Sequence, residues 1–356
     1  MICHPINEIS QVAQVRRAAG QLALQLGFTE TETGKVTLVV TEVANNLVKH
    51  ATDGQVLLQG FRGPKMSGLE VMALDKGPGM ANVAACLRDG YSTAGSPGTG
   101  LGAIARLSSF CDIYSVPQLG TALLVQISGG CGVNTKEKKE RVVSSSLSPF
   151  QLPASSPQSF DFGAVNLAKP GEAVCGDAWA IDQSLERCLV MVVDGLGHGV
   201  GAAEAAQAAV QVVQQRAALT PREIIEGMHG ALRVTRGAAV AIAVIDRSKQ
   251  VVQFCGVGNV GGTIVATARN QGLVSHNGIV GERVAKIQEF TYPWTPEALL
   301  VLYSDGLTSR WTLTSYPGLT THHPNLIAGV LYRDFVRGRD DVTVAVVRER
   351  QRIPAS

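Results

Sequence analysis

The stretch Leu189-Val190-Met191-Val192-Val193-Asp194-Gly195-Leu196-Gly197-His198-Gly199 decides how the second half of this chain is read. Its first five residues are apolar and mostly β-branched, the pattern of a buried strand. The Asp-Gly that follows reads as a strand end turning tightly, with the carboxylate left at the sheet rim. Three more aspartates stand in comparable settings: Asp177 in Cys-Gly-Asp-Ala, Asp305 in Tyr-Ser-Asp-Gly and Asp340 in Arg-Asp-Asp-Val-Thr. Carboxylates converging at one rim repel each other unless a hard cation sits between them, and an oxygen-only ligand set suits Mg²⁺ or Mn²⁺ rather than zinc.

Around this stretch lie further β-branched strand candidates: Val174–Asp182, Ala238–Asp246, Gln250–Val257, Gly262–Val265, Ala298–Tyr303 and Val342–Arg348. Helical patterns fall at Ala202–Ala218, Pro221–Arg233 and Leu326–Phe335. Many strands and few helices predict two sheets stacked face to face with helices outside. Upstream, Lys136 to Ser159 changes character, from Lys-Glu-Lys-Lys-Glu-Arg to Ser- and Pro-rich sequence. Such composition buries too little apolar surface to order itself, so residues 134–159 read as a flexible linker between a domain at 1–133 and another at 160–350. In the first domain, helical spacing runs over residues 6–26 and 32–50, with Val36, Val39, Val40, Val43 and Leu47 facing inward. Gln55–Phe61 and Leu69–Leu74 read as paired strands. A glycine-rich stretch leads into a helix from Ala103 to Phe110, and two more strands follow, near Asp112–Val116 and Thr121–Ile127. The expected fold class is therefore α+β throughout, with one sheet and helices on one face in the first domain.

Composition sets the outer bounds. The chain has 356 residues, 45% hydrophobic and 17% charged, enough for two globular domains. A net charge of +2 gives no sign of a nucleic-acid surface. No apolar run reaches the roughly 20 residues that span a bilayer, and the N-terminal residues lack a signal-peptide pattern. Seven cysteines, an odd number without a Cys-x-x-Cys pair, read as free thiols in a reducing cytoplasm.

The first domain carries its own constellation. Glu42 and Asn46 lie one helical turn apart on one face, continued by Lys49 and His50. Asn46 can ligate Mg²⁺, and Glu42 can orient or deprotonate an attacking hydroxyl. Alone, such a pair is ordinarily an exposed polar face. Asp75-Lys-Gly77-Pro-Gly79 follows a strand, where a buried Asp could accept a hydrogen bond from an adenine amino group. Gly95-Ser-Pro-Gly98-Thr99-Gly100-Leu101-Gly102 precedes a helix, whose free N–H groups can hold phosphates.

Together with the late Gly120-Thr121, these elements resemble the four boxes of the GHKL (Bergerat) ATPase fold. The stretch from Leu87 through Gly100-Leu-Gly-Ala-Ile-Ala-Arg-Leu107 further resembles the small serine kinases of bacterial partner switching, the anti-sigma-factor kinases and the stressosome switch kinase. Over residues 5–130 the resemblance implies ATP and Mg²⁺, with Glu42 as base, Asn46 as Mg²⁺ ligand and Asp75 as adenine partner. Gly77, Gly79, Gly98, Thr99, Gly100, Leu101, Gly102 and Thr121 would line the nucleotide. The implied substrate is a serine or threonine on a small antagonist (STAS) domain. His50 is expected to be structural rather than phosphorylated.

In the second domain, Asp177, Asp194-Gly195, Asp305-Gly306 and Asp340-Asp341-x-Thr343 match, in order, the motifs of metal-dependent type 2C protein phosphatases. The Asp-Gly-Leu-Gly-His-Gly variant, with Ala202, Ala203 and Ala205 opening the next helix, resembles the sporulation stage II E branch. The resemblance implies a helix-flanked β-sandwich (αββα). It also implies two Mn²⁺ or Mg²⁺ ions roughly 4 Å apart, bridged by Asp194 with the Gly195 carbonyl helping, and Asp177, Asp305 and Asp340 completing the shells. Asp341 would be a supporting group. Gly176 stands where many eukaryotic relatives have Glu, and their phosphate-binding Arg has no obvious counterpart. His198 could bind phosphate, protonate a leaving group or only hydrogen-bond its loop. Gly256–Asn259 and Asn277–Gly281 are expected to serve packing.

The whole implies a cytoplasmic, bifunctional partner-switching regulator: a kinase of an antagonist protein and a phosphatase acting on the same or a related protein. A sigma factor or a downstream signalling enzyme is a further partner class. The competing expectation is a nucleotide-gated module that sequesters a sigma factor without phosphorylating it, fused to a phosphatase that is then the only active enzyme.

Overall fold

The computed structural model describes residues 1–62, 66–87, 100–131, 159–266 and 270–350. The chain separates into two compact units, Met1–Ser148 with Tyr316–His322, and Pro149–Ser315 with His323–Ser356. Apart from Ser159, the expected linker at 134–159 lies outside the described residues.

The first unit runs β1 (Ile2–Pro5), α1 (Ile9–Gln25), α2 (Glu30–His50), β2 (Gln55–Arg62), β3 (Met66–Asp75), α3 (Val83–Cys86), α4 (Gly100–Leu107), β4 (Phe110–Ser115) and β5 (Thr121–Cys131). Its strands form one antiparallel sheet in the order β1-β2-β3-β5-β4. Helix α2 starts at a capping box in which Thr29 Oγ1 accepts the Glu32 N–H and the Glu32 carboxylate accepts the Thr29 N–H. Its valines Val36, Val39, Val40 and Val43 pack with Val15 and Ala19 of α1 and with Val56, Leu69 and Val71 of the sheet. Two readings shift. The helix expected at Ala103–Phe110 begins at Gly100 and ends at Leu107, because Phe110 already belongs to a strand. The edge strand β1 was not expected; four residues ending in Pro carry too short a pattern to be seen.

The second unit continues with β6 (Phe160–Leu167), β7 (Asp177–Gln183), β8 (Arg187–Gly195), α5 (Val200–Arg216), α6 (Pro221–Ala231), β9 (Ala238–Asp246), β10 (Val251–Val257) and β11 (Gly261–Val265). The short β12 (Asn270–Gly272), β13 (Ser275–His276), β14 (Gly278–Ile279) and β15 (Arg283–Val284) follow, then β16 (Glu289–Pro293), β17 (Leu299–Tyr303), α7 (Pro324–Phe335) and β18 (Val342–Glu349). One sheet has the order β13-β10-β9-β8-β7, with β16 also on β10, and the other β12-β11-β17-β18-β6. Strand β8 shows why its sequence is an unbroken apolar run. Val190 and Val192 face Leu300, Leu302, Ala345 and Val347 of the opposite sheet, while Leu189, Met191 and Val193 face Ala206, Ala209 and Val213 of α5 and Ile224 and Met228 of α6. A strand covered on both faces has no position for a polar residue until it reaches the rim. Helix α7 covers β6 and β18 from the other side. Gly163 leaves room there for Asn325, whose Oδ1 accepts the Ala164 N–H at 2.7 Å. The result is the expected α+β architecture with two stacked sheets flanked by helices.

Among the described residues, no helix is long and apolar enough to cross a membrane.

Candidate functional sites

In the first unit, α2, the β3 end and α4 surround one cavity of about 250 Å³. Asn46, Asp75, Gly79, Gly100, Leu101 and Thr121 all line it. Asp75 is 8% exposed and ends β3, directly opposite Thr121 of β5. The Gly77 N–H donates to Asp75 Oδ1 at 2.7 Å, which fixes the carboxylate at the cavity wall. Gly79 and Gly120 have φ of +70° and +76°, and a Cβ on either would collide with backbone, of Val116 and Asp75 respectively. A Cβ on Gly100 would sit 3.2 Å from Glu42 Oε2 and 3.7 Å from Asn46, so the start of α4 lies against the Glu42/Asn46 face of α2. Glu42 itself is not among the residues lining the cavity, and Gly102 is buried within α4. Gly98 and Thr99 lie outside the described residues. His50 lines the cavity.

Sequence reasoning missed the apolar walls, Val43, Ala73, Met80, Ile113 and Leu123, which look like ordinary core positions. It also missed Ser115. That hydroxyl accepts the Met80 N–H at 2.8 Å and lies 2.9 Å from Thr121 Oγ1, tying the loop after β3 to β5.

In the second unit, the register places aspartates at one rim. Asp177 opens β7 and Asp194 stands next to the end of β8, and the two are direct cross-strand partners. Asp305 follows β17 and Asp340-Asp341 precede β18, the neighbour of β17. Adjacent antiparallel strands put the end of one beside the start of the next, so each sheet delivers two motifs to a common edge. The two edges meet: a Cβ on Gly176, next to Asp177, would lie 2.7 Å from Asp341 Oδ2. Burial, then the charges of Asp305, Asp340 and Asp341, raise the Asp194 carboxyl to about 7. Burial and Asp194 push Asp177 well above the usual carboxylate range, although hydrogen bonds from Ser304 and Thr343 pull the other way. Asp305 is raised by burial and by Asp340, and Asp341 chiefly by burial.

The side chains are not drawn in on a point: among the described residues, no group of three or more His, Cys, Asp or Glu stands ready to ligate a metal. What fits a cation is the orphaned charge. Asp177 Oδ2 and Asp341 Oδ2 are buried without a hydrogen-bond partner, and Asp177 and Asp341 are 5% and 3% exposed. Buried carboxylate oxygens with raised proton affinity and no donor are what an all-oxygen divalent-cation site leaves behind.

Several expectations are refined. Asp194-Gly195 do not form the turn; both still pair, with Ala239 and Ala238, and the turn is made by Gly197 and Gly199 at φ +89° and +73°. Gly195 is required because a Cβ there would strike the Ala202 backbone. The strand expected from Val174 begins only at Asp177, just after Gly176, whose carbonyl accepts the Gly195 N–H at 3.2 Å. Asn259, expected only to pack, donates from Nδ2 to Asp305 Oδ2. His198 pairs through Nδ1 with Glu172 Oε1 at 2.7 Å, so its loop is tied to the segment before β7.

Gly176 also explains its departure from the Glu pattern. A Cβ there would lie 2.7 Å from both Ala202 Cβ and Asp341 Oδ2. Gly176→Ala should therefore displace Asp341 and weaken Mn²⁺ binding roughly 10- to 100-fold, the usual cost of disturbing a ligand's support. Titration calorimetry with Mn²⁺ checks this, and unchanged affinity would show that Asp341 does not matter to the site.

Comparisons with known proteins match each of the two domains. Residues 7–127 match the histidine kinase-like ATPase domain family. Residues 184–350 match the stage II sporulation protein E family. The chain is 30% identical over 112 residues to the serine/threonine-protein kinase RsbT of Bacillus subtilis (strain 168), covering 32% of this chain and 84% of RsbT. It is 26% identical over 142 residues to the phosphoserine phosphatase RsbX of the same organism, covering 40% of this chain and 71% of RsbX. Among solved structures, a chain from work on the bacterial stressosome as a modular system matches with TM-score 0.51 and 26% identity, over 54% of this chain and all (100%) of its own length. RsbX crystallised with magnesium matches with TM-score 0.50 and 22% identity, over 55% of this chain and 97% of its own, a likeness of fold. The architecture is that of a partner-switching regulator, with an RsbT-like kinase domain and an RsbX- and stage II E-like phosphatase domain in one polypeptide.

Proposed function

This chain belongs to the family of the serine/threonine-protein kinase RsbT, and from that premise we propose that it carries two opposed activities on one class of substrate. The first domain phosphorylates a serine or threonine of a STAS-type antagonist protein with Mg-ATP. The second removes phosphate from the same or a related protein with the help of two Mn²⁺ or Mg²⁺ ions. The observation that carries this reading is the Asp177–Asp194 pair, set face to face by strand register with a buried, unpartnered oxygen on Asp177.

In the kinase domain, Asp75 would accept the adenine amino group and Thr121, its cross-strand partner, would stand beside it. Asn46 would hold Mg²⁺ on the phosphates, which would sit at the start of α4, where Gly100 and Leu101 line the cavity. Glu42 would take the proton of the attacking hydroxyl; the missing side chain at Gly100 keeps its approach open.

In the phosphatase domain, Asp194, the Gly195 carbonyl, Asp177, Asp305 and Asp340 would hold the cations, with Asp341 beside them. Bound there, the ions supply a water of lowered pKa and neutralise charge at the transferred phosphoryl group. The protein's own part is to keep the carboxylates ionised and aimed. Ser304 and Thr343 hold Asp177, Asn259 holds Asp305, and the Lys169 N–H donates to Asp341 Oδ1 at 2.8 Å. Both activities on one chain would keep a shared substrate at high local concentration.

The test is transfer of label from γ-labelled ATP to a recombinant STAS-domain antagonist by the full-length chain. Labelled serine or threonine should form, and it should disappear on adding Mn²⁺. Tight capture of a sigma factor without any transfer would instead support the sequestering module.

A further inference from the structure

The phosphatase motifs supply cations but no fixed positive side chain for the substrate's phosphate, and the sequence offers no arginine at the position used by eukaryotic relatives. We propose that Arg236, brought in from the turn before β9, is the phosphate-binding arginine of this site; this rests on the phosphatase reading above.

Register makes the placement. Asp194 pairs with Ala239 and Gly195 with Ala238. The next step is held by the Leu196 N–H, which donates to the Gly237 carbonyl at 3.0 Å. One step further along the same antiparallel register sets Gly197 opposite Arg236. The contacts agree: a Cβ on Gly197 would lie 3.3 Å from Arg236 Nη1, and one on Gly201 would lie 2.6 Å from Nε and 2.8 Å from Cζ. The guanidinium thus rests on the turn that leaves Asp194 and on the first residues of α5, in space that two glycines keep clear.

The turn carrying Arg236 is itself fixed. Thr235 Oγ1 donates to the Leu232 carbonyl at 2.7 Å and accepts the Gly237 N–H at 3.1 Å. Gly237 has φ +78°, and a Cβ there would meet Ile279 and Val280. An arginine on a turn fixed in this way usually pairs with a carboxylate. Among the described residues Arg236 has no ion pair and no side-chain hydrogen bond, and it is exposed. Arg337 differs in that its charge acts on Asp305, lowering that carboxyl's proton affinity. An exposed, oriented and unpaired guanidinium beside a cation site matches the planar, bidentate recognition of a phosphoryl group. Leu196, Val200 and Val234 around it are 45%, 65% and 93% exposed, an apolar surround suited to the chain flanking a phosphoserine.

The experiment uses the full-length, Mn²⁺-loaded protein with p-nitrophenyl phosphate and a phosphoserine peptide as substrates and inorganic phosphate as inhibitor. Arg236→Ala should raise KM for both substrates and Ki for phosphate by about 10- to 100-fold. Arg236→Lys should recover part of that loss, and the Mn²⁺ affinity and melting temperature of both variants should equal those of the parent. KM and Ki within twofold of the parent would overturn the assignment, as would a loss explained by weaker Mn²⁺ binding or a lower melting temperature. Calorimetric binding of inorganic phosphate to the same samples separates the two readings. A parent that turns over neither substrate overturns the phosphatase reading. A parent that binds phosphate no better than Arg236→Ala overturns the role of Arg236.

Discussion

Asp194→Asn should abolish phosphate removal and, in the metal-free protein, make the phosphatase unit more stable. The activity loss should exceed about 100-fold, since even disturbing a ligand's support costs 10- to 100-fold. The gain in stability follows from the charges. Asp194 is raised from 3.8 to about 7 by burial and by Asp305, Asp340 and Asp341. A folded-state value above the unfolded one means that the folded protein holds a proton the unfolded chain has released. The Asp194 share of metal-free stability therefore falls as pH rises from about 4 to about 7, then levels off. The full penalty is on the order of 2–4 kcal/mol above that window. Asparagine has the same shape and no charge, so the variant should lose this decline and melt several degrees higher than the parent at pH 8. Added Mn²⁺ should reverse the order, stabilising the parent and leaving the variant nearly unchanged. Thermal melts at several pH values, with and without Mn²⁺, check the prediction; a variant less stable than the metal-free parent at pH 8 would contradict it.

Glu42→Ala should reduce phosphate transfer from ATP to the antagonist by roughly 10²- to 10⁴-fold, the range for a general base. Nucleotide binding should survive, because Glu42 stands at Gly100 and outside the lining of the cavity that holds Asn46, Asp75 and Thr121. Asp75→Ala should show the opposite division, with ATP affinity lost first. Equilibrium binding of a fluorescent ATP analogue, measured beside transfer rates, separates the two. Equal loss of binding in both variants would remove Glu42 from the role of base.

The sequence disclosed most where one residue type answers one physical demand. Leu189–Val193 is apolar without a break because β8 is covered on both faces, and that pattern is visible in any sequence. The aspartates were visible because three of the four flank or end such a run. What stayed hidden was set by register and by pairs distant in the chain. Asn259 meets Asp305 across 46 positions, and Lys169 meets Asp341 across 172. Neither partner has a local pattern that marks it. Arg236 is the sharpest case: it falls between the expected helix at Pro221–Arg233 and the expected strand at Ala238–Asp246, and only its alignment with Gly197 gives it a place. Gly176 and Gly195 were seen as motif letters, whereas the structure supplies their reason, the close approach of Ala202 and Asp341. On the kinase side, Asn46 and Asp75 are polar and so conspicuous, but the walls Val43, Met80 and Leu123 are indistinguishable from core until the cavity between them is seen.

The most direct measurement is a calorimetric titration of Mn²⁺ into the metal-stripped full-length chain and its Asp194→Asn variant at pH 8. Two Mn²⁺ should bind per parent chain, with protons released on binding, and the variant should show no tight site. Parent and variant taking up Mn²⁺ with the same stoichiometry and affinity would contradict the two-metal reading.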